Sequence, residues 1–266
     1  MNIRSAKMIY FSPTKTTKKI VESIAQGMRV ETLETMDLTI PDAGKSESEE
    51  IHDQVAIIGV PVYAGRVPLE AVQRLKPVRG NDTPAVVVVV YGNREYEDAL
   101  LELNDLAIEI GFKPVAGGAF IGEHSFNQVG APIADGRPDS ADLEKAAEFG
   151  EMVRKKIEDM PTIDGMQPLQ LPGNVPYKER RSLPNISPDT QEDICTKCEE
   201  CVTACPTAAI SAEDTIMTDQ DICITCCACV KICPSGARIA DNPHMKKMAL
   251  WLSENCSERK EPEMYV

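Results

Sequence analysis

The sequence is poor in positive charge and has no long apolar run. It contains 28 lysines and arginines against 42 aspartates and glutamates, which gives a formal net charge of −14. Nucleic acids and anionic membranes bind surfaces rich in lysine and arginine, so we expect neither as a partner. The longest apolar run, residues 85–91, is far too short to span a bilayer. No targeting segment is visible, and we therefore expect a cytoplasmic protein.

Cysteine is concentrated in one short stretch. Eight of the ten cysteines form two runs spaced C-x2-C-x2-C-x3-C-P, and the second run repeats the first at an offset of 28 residues. This is the spacing of bacterial ferredoxins with two clusters, in which the fourth cysteine of each run ligates the other cluster. We therefore predict one [4Fe–4S] cluster on Cys195, Cys198, Cys201 and Cys233, and a second on Cys223, Cys226, Cys229 and Cys205.

Other uses of cysteine fit this pattern less well. A zinc ribbon needs only four ligands and no third CxxC step followed by Cys-Pro. Disulfides are not expected, because soft thiolates at this spacing suit iron–sulfur clusters. Cys227 would break the spacing and Cys256 has no partner at motif distance, so both are predicted to be free thiols.

Apolar segments alternate with helical patterns in the first 160 residues. The predicted strands are residues 6–11, 30–36, 54–60, 85–91 and 115–120, and the predicted helices are residues 16–28, 69–75, 95–111 and 140–160. This alternation predicts an α/β doubly wound domain with a parallel five-stranded sheet. The most economical strand order is 2-1-3-4-5, which is the flavodoxin-like order.

Composition divides the chain into four parts. We predict an α/β domain at 1–160, a proline-rich connector at 161–188, a two-[4Fe–4S] ferredoxin-like α+β domain at 189–241 and a C-terminal tail at 242–266. Apolar residues such as Met166 and Leu171 suggest that the connector wraps the first domain. The tail is predicted to contain one docking helix, because helical spacing relates Met245, Met248, Ala249 and Leu252.

Three loops of the α/β domain contain residues suited to a flavin. In this strand order, ligands bind beyond the carboxyl ends of the strands, at the loops after strands 1, 3 and 4. The first loop places hydroxyl groups and a lysine at a helix N-terminus, which favours a phosphate. These residues are Ser12, Thr14, Lys15, Thr16 and Thr17. An ordinary cap on a surface helix is the alternative interpretation.

The other two loops could hold a flat ring. The candidates are Pro61, Val62, Tyr63, Ala64 and Gly65 after strand 3, and Tyr91, Gly92, Asn93 and Tyr96 after strand 4. Tyr63 could stack on the ring, and Gly65 would let the backbone approach it closely. Tyr91 or Tyr96 could cover the opposite face. A single loop tyrosine is usually mere packing, so this interpretation depends on the three loops converging.

The whole pattern resembles a known family. The motif Ser12-x-Thr14-x-x-Thr17 in the first 160 residues resembles that of flavodoxins, and the two cysteine runs resemble two-[4Fe–4S] ferredoxins. Together they are similar to the flavodoxin–ferredoxin fusions known as EFR1-type ferredoxins. The resemblance implies FMN, with its phosphate on Ser12, Thr14, Thr16 and Thr17 and its ring between the loops at 61–66 and 91–96.

The main functional hypothesis is electron transfer between FMN, two clusters and a redox partner. Residues 185–241 carry ten acids and three bases, which is half of the net charge. This acidic module favours docking to a basic partner surface, although acidic surfaces also serve solubility. Two alternatives stay open: an FMN-dependent reductase of a quinone, nitro compound or oxygen, and a non-catalytic redox sensor or assembly subunit. A homodimer is also compatible with the sequence.

Catalytic groups do not stand out in the sequence. The carboxylates show no paired acid–base arrangement, and no Ser/His/Asp order is apparent. His124 follows strand 5 and could donate a proton at the same end of the sheet, although a structural role is the commoner one for such a histidine. We therefore predict no catalytic residue.

Overall fold

The most apolar segments of the sequence form the centre of a parallel sheet. The computed structural model describes residues 3–41, 50–163, 165, 167–180 and 185–266. The strands are β1 (Ser5–Tyr10), β2 (Thr32–Asp37), β3 (Glu50–Ile51), β4 (Val55–Pro61), β5 (Arg79–Gly80), β6 (Thr83–Tyr91), β7 (Phe112–Ile121), β8 (Asp189–Thr190), β9 (Ile210–Ala212), β10 (Ile216–Thr218), β11 (Arg238–Ile239) and β12 (Glu263–Tyr265). The helices are α1 (Thr16–Met28), α2 (Leu69–Leu75), α3 (Ala99–Glu109), α4 (Ser140–Asp159), α5 (Glu200–Thr203), α6 (Ala228–Ile232) and α7 (Pro243–Asn255).

The main sheet has the strand order β12-β7-β6-β4-β1-β2. Its five long strands are parallel, and counted along the chain they follow the predicted order 2-1-3-4-5. β4 is buried along its whole length, as a strand covered on both faces should be. The flavodoxin-like doubly wound class is therefore confirmed.

Helices cover both faces of this sheet. One core cluster joins the sheet to α2 and α3, and the other joins it to α1 and α4. α1 and α4 approach closely at Gly150, which has no side chain. A Cβ atom added there would lie only 2.1 Å from the Ile24 carbonyl oxygen. In the described part of the chain, no helix is both long and apolar enough to cross a membrane.

The predicted strand count needs one correction. The sheet has six strands, because β12 at the C-terminus pairs antiparallel with β7. Tyr96 anchors this strand: its hydroxyl donates to Glu263 Oε2 at 2.7 Å and lies 3.0 Å from the Tyr265 hydroxyl. The pairing covers β7, which would otherwise be a free sheet edge. Three strand residues at the end of a tail give no periodic signal, which is why they were not predicted.

The predicted docking helix corresponds to α7. Met245, Ala249 and Leu252 are buried, whereas Met248 is more than one-third exposed and does not belong to the docked face. Phe126 packs against both small clusters that hold the helix, one of which includes Ala131 and Ile133 and the other Cys227. The tail therefore packs against both modules rather than projecting from one.

The second module contains two short antiparallel ribbons and two short helices. β8 pairs with β11, and β9 pairs with β10. α5 and α6 each begin within one of the two cysteine runs. The limits of the four predicted parts of the chain stay a prediction.

The connector crosses α3 and is held by buried polar contacts. Asp98 accepts hydrogen bonds from the backbone N–H groups of Asn174 (2.9 Å) and Lys178 (2.6 Å). Leu171 packs against the core cluster on that side of the sheet. Met166 is predicted to contribute to this packing, but it lies outside the described residues. The polar segment 42–49 also lies outside them.

Glu102 is the centre of a second set of connector contacts. Its carboxylate accepts hydrogen bonds from Arg66 Nε (2.8 Å), Arg180 Nη2 (2.5 Å) and the Val67 N–H (2.9 Å). The Arg66 guanidinium also lies over the Tyr177 ring, 4.8 Å from its centroid. A single carboxylate thus links α3, the loop after β4 and the connector.

Replacing Glu102 by alanine should cost about 3–5 kcal/mol of unfolding free energy, because the largely buried Arg66 charge would lose its anionic partner. Urea unfolding of the purified protein measures this loss. The matched control is Glu22→Ala, because Glu22 forms an exposed pair with Lys18 at 3.8 Å. The control should cost about 0–1 kcal/mol. Equal losses in the two variants would contradict the role assigned to Glu102.

Candidate cofactor sites

The two cysteine runs share one backbone conformation. Lys197 and Glu199 have φ angles of 54° and 61°, and the residues 28 positions later, Thr225 and Cys227, have 52° and 57°. Non-glycine residues seldom adopt positive φ, so this repetition marks an imposed geometry. Concavities formed by backbone N–H groups in such turns bind anions, iron–sulfur clusters among them.

The structure brings together one complete predicted ligand set. A cavity of about 310 Å³, including space open to solvent, is lined by Cys205, Cys223, Cys226 and Cys229, and also by the extra thiol Cys227. Cys205 comes from the first run and the other three from the second, which is the grouping that the crossed ligation pattern requires.

The other predicted set is less enclosed. Cys201 is buried and Cys195 is half-buried, and both belong to the apolar cluster that also contains Cys229. Cys233 is half-buried and Cys198 is exposed. One predicted cluster site therefore lies nearer the surface than the other.

The described residues contain no group of three histidine, cysteine or acidic side chains placed to hold one metal ion. Burial raises the pKa of Cys223 and Cys226, so these thiols would ionise only when a metal takes up the charge.

Matching hydrogen bonds surround the fourth cysteine of each run. Cys205 Sγ lies 3.7 Å from the Thr207 hydroxyl, and Cys233 Sγ lies 3.7 Å from the Ser235 hydroxyl. Burial acts to raise the pKa of Cys233, but hydrogen bonds from the Arg238 backbone and from Ser235 lower it overall. Bonds of this kind to a ligating sulfur tune a metal centre.

Of the two extra cysteines, Cys227 lies in the lining of that cavity, whereas Cys256 lies in the C-terminal segment. Cys227 is almost fully buried, and its thiol lies 3.6 Å from the Thr225 carbonyl oxygen. Cys256 ends α7, where its carbonyl oxygen accepts a hydrogen bond from Asn93 at 2.7 Å. Burial raises the pKa of Cys227, which keeps it a thiol.

The loop after β1 is tightly organised around Ser12. Its N–H donates to the Thr39 hydroxyl at 2.9 Å, and its own hydroxyl accepts from the Lys18 N–H at 3.0 Å. Thr14 and Thr16 hydroxyls lie 3.4 Å apart. Thr17 is fully buried, and its hydroxyl has no partner among the described residues. An unpaired buried hydroxyl at a helix N-terminus fits a site for a phosphate.

The loop after β4 forms a tight turn. Tyr63 and Arg66 exchange two backbone hydrogen bonds of 3.0 and 3.1 Å, with positive φ at Ala64 and Gly65 between them. The Gly65 carbonyl oxygen accepts from the Asp98 N–H at 3.2 Å, so the loops after β4 and β6 are in contact. Pro61 ends β4, and the Val62 N–H donates to the Val90 carbonyl oxygen at 2.9 Å.

The expected role of the loop after β6 needs correction. Tyr91 and Tyr96 are buried in the core, with ring centroids 5.4 Å apart, so neither ring covers a face of a flavin. The Asn93 side chain donates to the carbonyl oxygens of Cys256 and Glu258, both at 2.7 Å. The C-terminal segment hydrogen-bonds the Asn93 and Tyr96 side chains. Only the backbone of this loop, at Gly92 and Asn93, is left for a cofactor.

His124 packs directly over Gly92. A Cβ atom on Gly92 would lie 2.3 Å from His124 Cδ2. Burial lowers the pKa of His124 to about 4, and the Arg94 and Lys231 charges act in the same direction. Nδ1 accepts from the Phe126 N–H at 3.0 Å, so the ring is neutral near pH 7 and structurally engaged. This arrangement does not favour a proton-donating role.

The cysteine module lies against the carboxyl edge of the parallel sheet. Arg74 of α2 donates to the Pro206 carbonyl oxygen, beside Cys205, and to the Leu38 and Thr39 carbonyl oxygens at 2.9 and 2.6 Å. Its guanidinium also lies over the Phe11 ring at 5.5 Å. One side chain therefore ties the first cysteine run to the loops after β1 and β2.

Two further contacts hold the second cysteine run against the same edge. Lys231 of α6 pairs with Glu123 and donates to the Asn127 carbonyl oxygen at 3.0 Å, both in the loop after β7. Ile224 packs against the core of the α/β domain. Burial raises the pKa of Tyr63 well above its ordinary value, and the thiols of Cys226 and Cys227 add to this shift electrostatically. Tyr63, in the turn after β4, therefore interacts electrostatically with cysteines of the second run.

Local sequence patterns do not reveal these contacts. Arg74 and Lys231 are single charged residues on short helices, and their partners are carbonyl groups or acids 35 to 132 residues away. Local sequence patterns carry no information on such pairs.

Comparisons with known proteins identify one matching family model and several similar solved structures. Residues 188–234 match the family model of the 4Fe-4S dicluster domain, which covers all eight motif cysteines. No curated protein matches the chain. Flavodoxin 2 from Bacillus cereus is similar at 17% identity over 57% of this chain and 99% of its own, with a TM-score of 0.40. The Fusobacterium nucleatum flavodoxin bound to flavin mononucleotide is similar at 15% identity over 59% of this chain and 98% of its own, with a TM-score of 0.38.

The strand order and the family match define a two-part protein. It joins a flavodoxin-like α/β domain, assigned from the order of its sheet, to a 4Fe-4S dicluster domain. At this level the chain has the organisation of the flavodoxin–ferredoxin fusions that its sequence resembles.

Lys15, just before α1, has a φ of 65°. This angle allows the backbone geometry of the loop after β1 to be tested. Lys15→Gly should be more stable than Lys15→Ala by about 1 kcal/mol, because only glycine adopts this left-handed conformation without strain. Lys19 is the control, since it is exposed within the same helix. There, glycine should be about 1 kcal/mol less stable than alanine. Thermal or urea unfolding measures both differences, and the same sign at both positions would contradict the assigned backbone geometry.

Proposed function

We propose that this chain is an electron-transfer protein that holds FMN and two [4Fe–4S] clusters. The observation that carries the proposal is the position of the cysteine module. It lies at the carboxyl edge of the sheet, where doubly wound folds bind their ligands, and Arg74 and Lys231 fix it there. FMN exchanges one or two electrons and each cluster exchanges one, so their combination would link two-electron and one-electron chemistry.

The phosphate of FMN would lie at the loop after β1. Ser12, Thr14, Lys15, Thr16 and Thr17 would hold it through hydroxyl groups, N–H groups at the start of α1 and one positive charge. The unpaired buried hydroxyl of Thr17 supports this placement. The ring would lie between the turn at 61–65 and the backbone of Gly92 and Asn93.

The two clusters would lie at different depths. Cys205, Cys223, Cys226 and Cys229 would hold the inner cluster, next to Tyr63 and Ile224. Cys195, Cys198, Cys201 and Cys233 would hold the outer cluster, where Cys198 is exposed. Electrons would pass between a partner and the outer cluster, and then through the inner cluster to the flavin.

The surface around the outer set suits a basic redox partner. Glu192, Asp193, Glu199 and Glu200 are exposed close to Cys198 in sequence, and Ile194 is an exposed apolar residue among them. An apolar centre with a charged rim is the usual form of a transient docking surface. We propose a cytoplasmic location, because thiolate ligands persist in a reducing compartment.

Anaerobic purification followed by iron, sulfide and flavin analysis tests the cofactors directly. The expected result is about eight iron atoms and one FMN per chain. Cys226→Ala should lower the iron content by about half, and Cys256→Ala should leave it unchanged. About eight iron atoms with no flavin, even after FMN is added, would refute the flavin half of the proposal. A protein that binds no iron would refute the cluster half.

Replacing Arg74 tests the contact between the two modules. Arg74→Lys removes the planar fork that reaches Pro206, so electron transfer between the clusters and the flavin should slow by about tenfold or more. Flash photoreduction followed by absorption spectroscopy measures this rate.

Two results decide whether this slowing reflects the Pro206 contact. Iron and flavin contents should stay unchanged in Arg74→Lys. The control is Arg79→Lys, because Arg79 bonds only to nearby carbonyl groups at Lys76 and Val78. An equal rate in both variants would mean that the Pro206 contact does not set the transfer distance.

A further inference from the structure

The two halves of the cysteine repeat differ at one position that is buried in both halves. Ala209 and Ala237 match at the offset of 28 residues, but the next pair is Ile210 and Arg238. Both side chains are buried, with 5% and 3% exposure. Ile210 belongs to the apolar cluster around the cysteines. The second half of the repeat therefore carries a buried positive charge where the first half carries a branched alkyl group.

The Arg238 guanidinium is held in place by neutral oxygen atoms. It donates to the Thr190 hydroxyl (2.7 Å), the Thr218 hydroxyl (2.8 Å) and the Pro188 carbonyl oxygen (3.0 Å). Among the described residues, no carboxylate pairs with it, and its Nε–H has no acceptor. A buried cation without an anionic partner is costly, so this arrangement requires negative charge nearby.

The predicted ligand cysteines can supply that negative charge, and the guanidinium contacts one of the two cluster sites directly. Arg238 Nη2 lies 3.6 Å from Cys229 Sγ, a predicted ligand of the inner cluster. The other printed bonds of the guanidinium, within the described residues, go to oxygen atoms and not to a predicted ligand of the outer cluster.

We propose that Arg238 is a positioning residue that raises the reduction potential of the inner cluster above that of the outer cluster. The inference rests on the proposed cluster binding. Reduction adds one electron, and so one negative charge, to a cluster. A fixed buried guanidinium stabilises that added charge, and most strongly at the thiolate to which it donates. The first electron to enter the module would therefore reside next to the α/β domain.

A reductive titration followed by EPR spectroscopy tests this inference in the purified holoprotein. Arg238→Met keeps much of the side-chain volume and removes the charge. At a fixed solution potential, it should lower the reduced-to-oxidised ratio of the higher-potential cluster at least tenfold, or about 59 mV for a one-electron couple. Arg238→Lys retains the charge and should change the ratio less. Ile210→Met, at the matching position, is the packing control and should leave the ratio unchanged.

A measurement on the unsubstituted side chain covers the case in which Arg238→Met does not assemble its clusters. Arg238 is the one arginine in residues 185–241. With arginine 15N-labelled only at its guanidinium nitrogens, pulsed EPR of the singly reduced protein should show nitrogen coupling to the reduced cluster, whereas a backbone label would also report on the Arg238 N–H beside Cys233. The same coupling should persist in Arg74→Lys, which removes the arginine that reaches Pro206. A singly reduced cluster without arginine coupling would overturn the inference.

The outcomes separate this inference from the proposed function. An iron-free wild-type protein would refute the proposed function. Two intact clusters whose potentials are the same in wild type and Arg238→Met would refute the role of Arg238 and leave electron transfer standing. A drop of equal size in Arg238→Met and Ile210→Met would also refute it, because packing would then explain the shift.

Discussion

Parallel pairing of β1, β4, β6 and β7 is the constraint on which the rest of the structure depends. Parallel strands end at one edge of the sheet, so the loops that follow them must meet there. The hydroxyl-rich loop at Ser12 and the turn at Tyr63 both lie at this edge. The cysteine module rests on the same edge, and the functional proposal follows from that coincidence.

Features that are periodic along the chain could be predicted from the sequence. The cysteine runs repeat at a fixed offset, which predicted the second module. The apolar strands alternate with helices, which predicted the fold class and the strand order of the first. The helix in the tail was predicted by its spacing, apart from Met248. Each of these signals is contained within one short segment and depends on no distant partner.

Features that depend on distant partners could not be predicted. Tyr96 and Asn93 looked like flavin contacts because their loop follows a central strand, yet both bind the C-terminal segment about 165 residues later. Arg74 gave no signal, because its partners are backbone carbonyl groups that any sequence provides. The sequence identifies Arg238 only as one of three basic residues in the acidic module. Its burial between the ribbons is a property of the folded module.

The return of the chain to β7 has a consequence for how the two parts move. The α/β domain is completed only by its last strand, Glu263–Tyr265, so the cysteine module is an insertion within that domain. Both ends of the insertion are anchored, by the connector on α3 and by α7 with β12. Such a module cannot swing between a docked and an extended position, as a domain on a single tether can. Under the proposed function, a redox partner would therefore meet a fixed surface.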